Sequence, residues 1–293
     1  MGMLFVNVIT IVIAVILVAL IAVGGLRWRD YREDSAAWES LAAHQPRNPA
    51  LFDPSVIESL PGPAQRFFRF AIQAGAPLYT VAELHMQGEF ALGNKTRPNY
   101  VEMRADQILA APYGFVWKLK AAKGLIDISG SDAAINSQSW SRFWLALLFP
   151  VARAGGTPDH ARSAFGRYVA EAVFWSPAAL LPSEHVRWEA IDDEKSRVTV
   201  QHLDMSQAVD LTVDADGKIR EVVFQRWSNA NAQREFQLQP FGGYLSGYRE
   251  FGGYCLPTRI EAGNFFATPD YFPFFKVNVT NIRFPAQSAS FKK

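Results

Sequence analysis

The N-terminal run from Leu4 to Leu26 constrains this chain more than any other feature, because it is almost wholly apolar. Only two polar residues and two glycines interrupt it. At a rise of about 1.5 Å per residue the run reaches about 34 Å as a helix, enough to cross a hydrocarbon core of about 30 Å. The sequence therefore predicts a single transmembrane anchor over residues 1–27, with the lipid bilayer as the partner of residues 4–26.

A cleaved signal peptide is the alternative for this run, since Ala22-Val23-Gly24 loosely fits a small-residue cleavage site. Signal peptides begin with positive charge and carry an apolar stretch of about 7 to 15 residues. No Lys or Arg precedes Leu26, and the apolar run is longer than that. The pattern favours an anchor that is retained.

The residues after the apolar run leave the orientation open. Arg27, Arg29 and Arg32 follow it directly, and the positive-inside rule would keep that side cytoplasmic. Cys255 is the only cysteine, so it cannot form an intrachain disulfide that would indicate an oxidising compartment.

Composition and motifs exclude several classes of function. The formal net charge is +1, which provides no electrostatic footprint for nucleic acid, so no nucleic-acid partner is expected. The sequence contains no phosphate-binding glycine loop, no serine-hydrolase elbow and no paired-cysteine metal motif. The five histidines are scattered singly. We expect no metal, no cofactor and no catalysis. The sequence does not identify a protein partner.

Beyond the anchor, the sequence predicts a juxtamembrane linker over residues 28–54 and a single β-rich globular domain over residues 55–293. Prolines in the second half of the linker favour a partly extended chain. Within the domain, helical spacing between Pro158 and Phe174 predicts one helix. The segment 143–149 is apolar nearly all round, which predicts a buried helix or a lid.

The order of elements indicates the fold class. Helices and runs of strands succeed one another without βαβ alternation, and turn residues separate the strands at hairpin spacing. We predict an α+β fold in which a curved antiparallel sheet, a half-barrel, carries helices on its concave face. That concave face is filled either by the helices or by a ligand.

Two features indicate where a ligand would bind. Glu171 is the only charge between Tyr168 and Trp175, and Arg167 lies one helical turn before it, with Arg226 or Arg249 as further partners on a facing strand. This is either a buried ion pair that fixes the fold or a carboxylate that faces a ligand cavity. Tryptophan and phenylalanine side chains would line that cavity. The predicted ligand-binding residues are Trp117, Phe143, Trp144, Arg167, Glu171, Trp175, Trp188, Arg226 and Tyr248.

Several motifs resemble a known family. They are Leu60-Pro61, Gly75-Ala76-Pro77, Phe115-Val116-Trp117, Trp188-Glu189, Tyr248-Arg249 and, most specifically, the stretch 167–181 with Arg167-Tyr168, Glu171, Trp175, Pro177 and Ala179-Leu180-Leu181. The family is an uncharacterised bacterial membrane-anchored family of unknown function. The layout of the domain is also similar to the open β-half-barrel of bacterial lipoprotein carriers. The first resemblance brings no reaction, and the second favours the periplasmic, extracytoplasmic side for the domain.

The sequence thus predicts a single-pass, membrane-anchored domain that binds an apolar ligand such as a lipid or acyl chain. Two alternatives remain at this point. One is a membrane-tethered protein-interaction module, and the other is an enzyme that uses Glu171 as acid or base.

Overall fold

A computed structural model describes the backbone of residues 2–124 and 126–285, and their side chains except those of residues 2–5 and 126. The described chain contains three α-helices: α1 Gly2–Ala42, α2 Gly62–Ala71 and α3 Pro158–Trp175. Short 3-10 helices cover Pro54–Ile57 and Pro177–Leu180. The helix predicted between Pro158 and Phe174 is confirmed, and Thr157 caps it by accepting a hydrogen bond from the backbone N–H of His160.

The strands form one large antiparallel sheet and a separate hairpin. The strands are β1 Ala82–Ala91, β2 Tyr100–Ala110, β3 Gly114–Lys123, β4 Ile126–Ile135, β5 Gln138–Leu145, β6 Phe149–Gly155, β7 Val186–Ala190, β8 Lys195–His202, β9 Met205–Val213, β10 Ile219–Ser228, β11 Gln237–Ser246, β12 Arg249–Phe251, β13 Tyr254–Leu256, β14 Arg259–Asn264 and β15 Phe272–Arg283. The large sheet has 13 strands in the order β6-β5-β4-β3-β2-β1-β15-β14-β11-β10-β9-β8-β7, and β12 pairs only with β13.

The sheet is curled around helix α3. Seven strands separate β5 from β10 in the sheet order, so a flat sheet would hold them roughly 38 Å apart. Nevertheless α3 contacts both, together with β2, β3, β4, β6 and β9. Because a helix is only about 10–12 Å across, the sheet must bend around it. The predicted α+β half-barrel with a helix on its concave face is confirmed.

Helix α1 lies on the opposite, outer face of the sheet. Its residues Asp30, Asp34, Ala37 and Leu41 recur at three- and four-residue spacing and are all buried. Ala37 and Leu41 pack in a small core of their own with residues of β2, β3, β4 and β5, such as Trp140. This packing explains why the chain stays helical through Ala42, where the sequence predicted a partly extended linker.

Polar contacts fix α1 on the outer face as well. The Arg153 guanidinium donates two hydrogen bonds to the Asp30 carboxylate, at 2.7 and 2.9 Å. The Asp34 carboxylate accepts from the Ser131 hydroxyl at 2.8 Å and from the Trp140 indole at 3.0 Å. The second half of α1 is therefore part of the folded domain.

The prediction of a buried helix or lid over residues 143–149 is wrong. The segment lies in the hairpin formed by β5 and β6. It contains the end of β5, the turn between Leu145 and Phe149, and the first residue of β6. Both faces of β5 are covered, because Phe143 faces the interior of the half-barrel while the Trp144 indole donates to Asp30 of α1. A strand covered on both faces is apolar at successive positions, and periodicity alone does not distinguish such a run from a buried helix.

Candidate functional site

A cavity of about 420 Å³ lies between α3 and the concave face of the sheet. This volume falls within the range of about 300–1,000 Å³ that is typical of small-molecule pockets. Its walls are mainly apolar and come from α3 and from nine strands. The larger apolar side chains are Phe90, Leu92, Trp117, Leu119, Ile128, Phe143, Val151, Phe174, Trp175, Val222, Phe224, Phe241, Leu245, Ile260, Phe274 and Phe275.

Small residues in the wall leave this volume open. Ala170 of α3 and Ala152, Gly242, Gly243 and Ala262 of the sheet all line the cavity. Gly242 cannot easily be larger, since a Cβ there would lie 2.5 Å from the Val222 carbonyl oxygen. A larger side chain at one of the three alanines would reduce the space that a ligand would occupy.

One side of the cavity carries a half-buried ion-pair cluster centred on Arg167. Its Nε donates to Glu171 Oε1 at 2.8 Å, as the spacing of one helical turn predicted, and its Nη1 donates to Asp132 of β4. The other oxygen of Glu171 accepts from the Gln107 amide at 2.6 Å. The two carboxylates raise the pKa of Arg167 against the opposing effect of its burial. Arg167 is therefore fully paired and charged.

Arg226 lies in the same wall but has no such partners among the described residues. Among residues 2–124 and 126–285 its guanidinium has no hydrogen-bond or ion-pair partner, and its Nε is buried. It stacks on the Phe241 ring at 5.0 Å. Burial, with a further effect of the Arg167 charge, lowers the pKa of Arg226 to about 10. The Trp117 indole N–H in the cavity wall is also buried without an acceptor in the described chain.

A second polar network, which the sequence did not indicate, extends from Asp132 away from the cavity. Ser141 donates to Asp132 at 2.7 Å, and His160 contacts the hydroxyls of Ser141 and Ser139 at 3.2 and 2.8 Å. Because the Ser141 proton points to the carboxylate, His160 Nε2 donates to Ser141 rather than activating it. The Ser, His and Asp side chains are therefore connected in an order that differs from that of a hydrolase triad.

Six of the nine predicted ligand-binding residues line the cavity: Trp117, Phe143, Arg167, Glu171, Trp175 and Arg226. The structure brings together residues from α3, β3, β5 and β10 that are far apart in the sequence. Their role in binding a ligand stays a prediction.

The other three predicted residues lie elsewhere. Trp144 points to the outer face and donates to Asp30. Trp188 packs against Phe68 of α2, and its indole N–H donates to the Leu180 carbonyl. The Tyr248 hydroxyl donates to the Ile219 carbonyl, and its ring packs against Phe70. Each side chain has its own partners in the core, which the sequence could not reveal because they come from distant segments.

Sequence reasoning missed most of the opposite wall of the cavity. Val222 and Phe224 alternate with Arg226 on one face of β10, so strand periodicity could have identified them. Phe241 was not identifiable in the same way, because it reaches the cavity through its pairing with Phe224 in register. Phe275, which pairs with Phe90 and Ala262, belongs to an aromatic cluster near the end of the sequence.

The fold and the cavity define a class of protein: an antiparallel half-barrel, closed by one helix, that encloses an apolar space with a few buried polar groups. The chain belongs to a family of unknown function, DUF6544, whose model matches residues 50–277. The match begins after α1 and covers the half-barrel, as the motifs in the sequence indicated.

Two solved structures are similar to this chain. One is a domain described as an outer membrane lipoprotein-sorting protein from Vibrio parahaemolyticus, with 11% identity, a TM-score of 0.38 and coverage of 72% of this chain and 87% of that one. The other is a LolA superfamily protein from Nitrosomonas europaea, with 12% identity, a TM-score of 0.37 and coverage of 80% and 94%. At these TM-scores neither likeness bears on what the chain binds. No curated protein matches the sequence.

Proposed function

We propose that the half-barrel binds an apolar ligand, such as a lipid or an acyl chain, in the cavity beside α3, and that α1 anchors the domain to a membrane. The observation that supports the proposal is the cavity itself: about 420 Å³ of space walled mainly by aromatic and aliphatic side chains. Cavities with mainly apolar walls hold water poorly and take up apolar molecules.

The energetics of such binding are favourable. Each methylene removed from water contributes about 0.8 kcal/mol, so about ten methylenes contribute about 8 kcal/mol before the cost of ordering the chain. Arg167, Asp132 and Glu171 satisfy one another, so the unpaired polar groups that an alkyl chain would meet in the described wall are the Arg226 guanidinium and the Trp117 indole N–H.

The first half of helix α1 supports membrane anchoring because its apolar side chains are exposed. Val6, Ile11, Val15 and Ile21 are 59%, 62%, 62% and 73% exposed, and no residue in the most apolar window of the helix is buried. A signal sequence near the N-terminus would have the same character, so the two must be separated by experiment. Mass determination of the purified protein from membranes, with residues 4–26 retained or removed, distinguishes them.

The side of the membrane on which the domain lies stays a prediction. We propose that the domain lies on the extracytoplasmic side. A C-terminal reporter enzyme that is active only outside the cytoplasm tests it, and activity confined to a cytoplasmic reporter would reverse the assignment.

The structure favours a structural role for Glu171 over an acid–base one. Both of its carboxylate oxygens accept hydrogen bonds, from Arg167 and Gln107. We therefore do not propose a reaction at this residue.

Ligand binding is tested with a cavity-filling variant and a matched control. Ala262 and Ala208 are both half-buried alanines on strands, but only Ala262 lines the cavity. We expect Ala262→Phe to weaken saturable binding of a fluorescent acyl-chain probe at least tenfold, and Ala208→Phe to leave it unchanged. Equal affinity in both variants, with both folded by circular dichroism, would contradict the proposal.

A further inference from the structure

The turn between β5 and β6 exposes a group of large apolar side chains. Leu147, Leu148 and Phe149 are 47%, 44% and 62% exposed, and Val151 beside them is 53% exposed. We refer to residues 147–151 as the hairpin tip. Turns are usually built from Gly, Asn, Asp and Ser, particularly where the backbone is left-handed, as it is at Leu147 with φ 62°. A contiguous apolar group at such a position indicates an interaction surface.

The hairpin tip lies beside the end of the apolar part of α1. Arg27, the first residue after that part, donates from Nη1 to the Leu147 carbonyl oxygen at 3.4 Å. Its Nη2 lies 3.5 Å from the Ser129 hydroxyl of β4. The side chain of Arg27 thus links the helix to the tip, at the level where a spanning helix would leave the hydrocarbon.

The flanking residues have the character of a membrane interface. Trp28 and Tyr31 are 61% and 67% exposed and follow Arg27 within about one turn of the helix. Exposed tryptophan and tyrosine, together with arginine, concentrate at the level of lipid headgroups. Exposed apolar and aromatic side chains therefore lie both along the first half of α1 and its end and in the hairpin tip that Arg27 contacts.

The hairpin tip also adjoins the cavity. Val151 is exposed in the tip and lines the cavity wall, and Leu92, 43% exposed, lines the same wall from the end of β1. The cavity is thus open to the surface at a place bordered by the tip.

We propose that the hairpin tip inserts into the surface of the bilayer that α1 crosses, so that the cavity opens onto the lipid. This inference rests on the membrane anchoring proposed above. It adds a second membrane contact and a source for the ligand: an acyl chain would pass along Val151 from the bilayer into the cavity without crossing water.

The test uses the full chain in lipid vesicles with a single fluorescent label. Cys255 is replaced by alanine, and an environment-sensitive dye is attached at Phe149→Cys or, as a control, at Leu203→Cys. Leu203 is a matched site, since it is an apolar turn residue, 70% exposed and left-handed with φ 54°. The vesicles contain phosphatidylcholine with a nitroxide quencher on the acyl chain.

We expect the nitroxide to quench the dye at position 149 at least threefold more than the dye at position 203. If the protein floats with the vesicles and the two labels are quenched equally, the tip does not enter the bilayer and this inference is overturned while the anchor stands. If the protein does not float with the vesicles, the anchor itself is wrong and the inference falls with it. Blue-shifted emission at 149 without quenching, dependent on protein concentration, would assign the tip to a protein contact instead.

Discussion

Two half-buried arginines in one cavity wall have different neighbours, and this difference decides what each contributes to stability. Arg167 is held by Asp132 and Glu171, whereas Arg226 has no hydrogen-bonding partner in the described chain and stacks on Phe241. Leaving buried charges without their partner is far more costly than removing a charge that has none. The sequence identified both arginines as candidates but could not show which of them was paired.

We predict that Arg167→Met lowers the free energy of unfolding by about 3 kcal/mol, since it leaves two half-buried carboxylates without their cation. Arg226→Met removes an unpaired, half-buried charge, and we expect it to change that free energy by less than about 1 kcal/mol. Chemical denaturation of the two variants measures both values. Similar losses in the two would show that Arg226 has a partner of comparable importance.

His160 makes stability depend on pH. Burial lowers the pKa of His160, and the Arg226 charge adds to this effect while Asp132 opposes it. Below the ordinary pKa of about 6.5 the unfolded chain therefore takes up a proton that the folded protein resists, and stability falls as the pH drops further. Above that pH this histidine contributes no pH dependence.

We expect His160→Gln to reduce the loss of stability between pH 6.5 and pH 5, followed by denaturant midpoints at each pH. His185→Gln is the control, because the His185 side chain is 61% exposed. An unchanged slope in His160→Gln would show that other groups carry the acid sensitivity.

At the scale of elements, local signals were sufficient to predict an element whose two ends are marked by prolines. Helix α3 has Pro158 in its first turn and ends before Pro177, and the sequence predicts both bounds. Strand β5 was misread because its two faces are covered by different partners, the cavity side and α1. The continuation of α1 to Ala42 was missed because its buried face becomes visible only when the outer face of the sheet is known.

The apolar first half of α1 is exposed and one face of its second half is buried, so truncation separates what each half contributes. A chain that begins at Val23 keeps the contacts of Asp30 and Leu41, so we expect it to be soluble and fully folded. A chain that begins at Ala43 exposes the outer-face core around Trp140, and we expect it to lose about 3 kcal/mol or more. Thermal unfolding compares them, and equal midpoints would show that α1 does not stabilise the sheet.

At the scale of the whole molecule, the curl of the sheet creates the site. Arg226 of β10 and Phe143 of β5 line one cavity although seven strands separate β10 from β5 in the sheet. The sequence predicted a concave face that is filled by helices or by a ligand, and the structure shows one helix with open space beside it. How much space remains depends on strand register and curvature, which no local pattern specifies.

Anomalous diffraction from a brominated acyl chain bound to crystals of the chain beginning at Val23 tests the central claim most directly. We predict bromine peaks within the cavity, between Trp175 of α3 and Phe241 of β11. Loss of those peaks in Ala262→Phe and their retention in Ala208→Phe would assign them to the cavity. Peaks confined to the protein surface at saturating ligand would contradict the account.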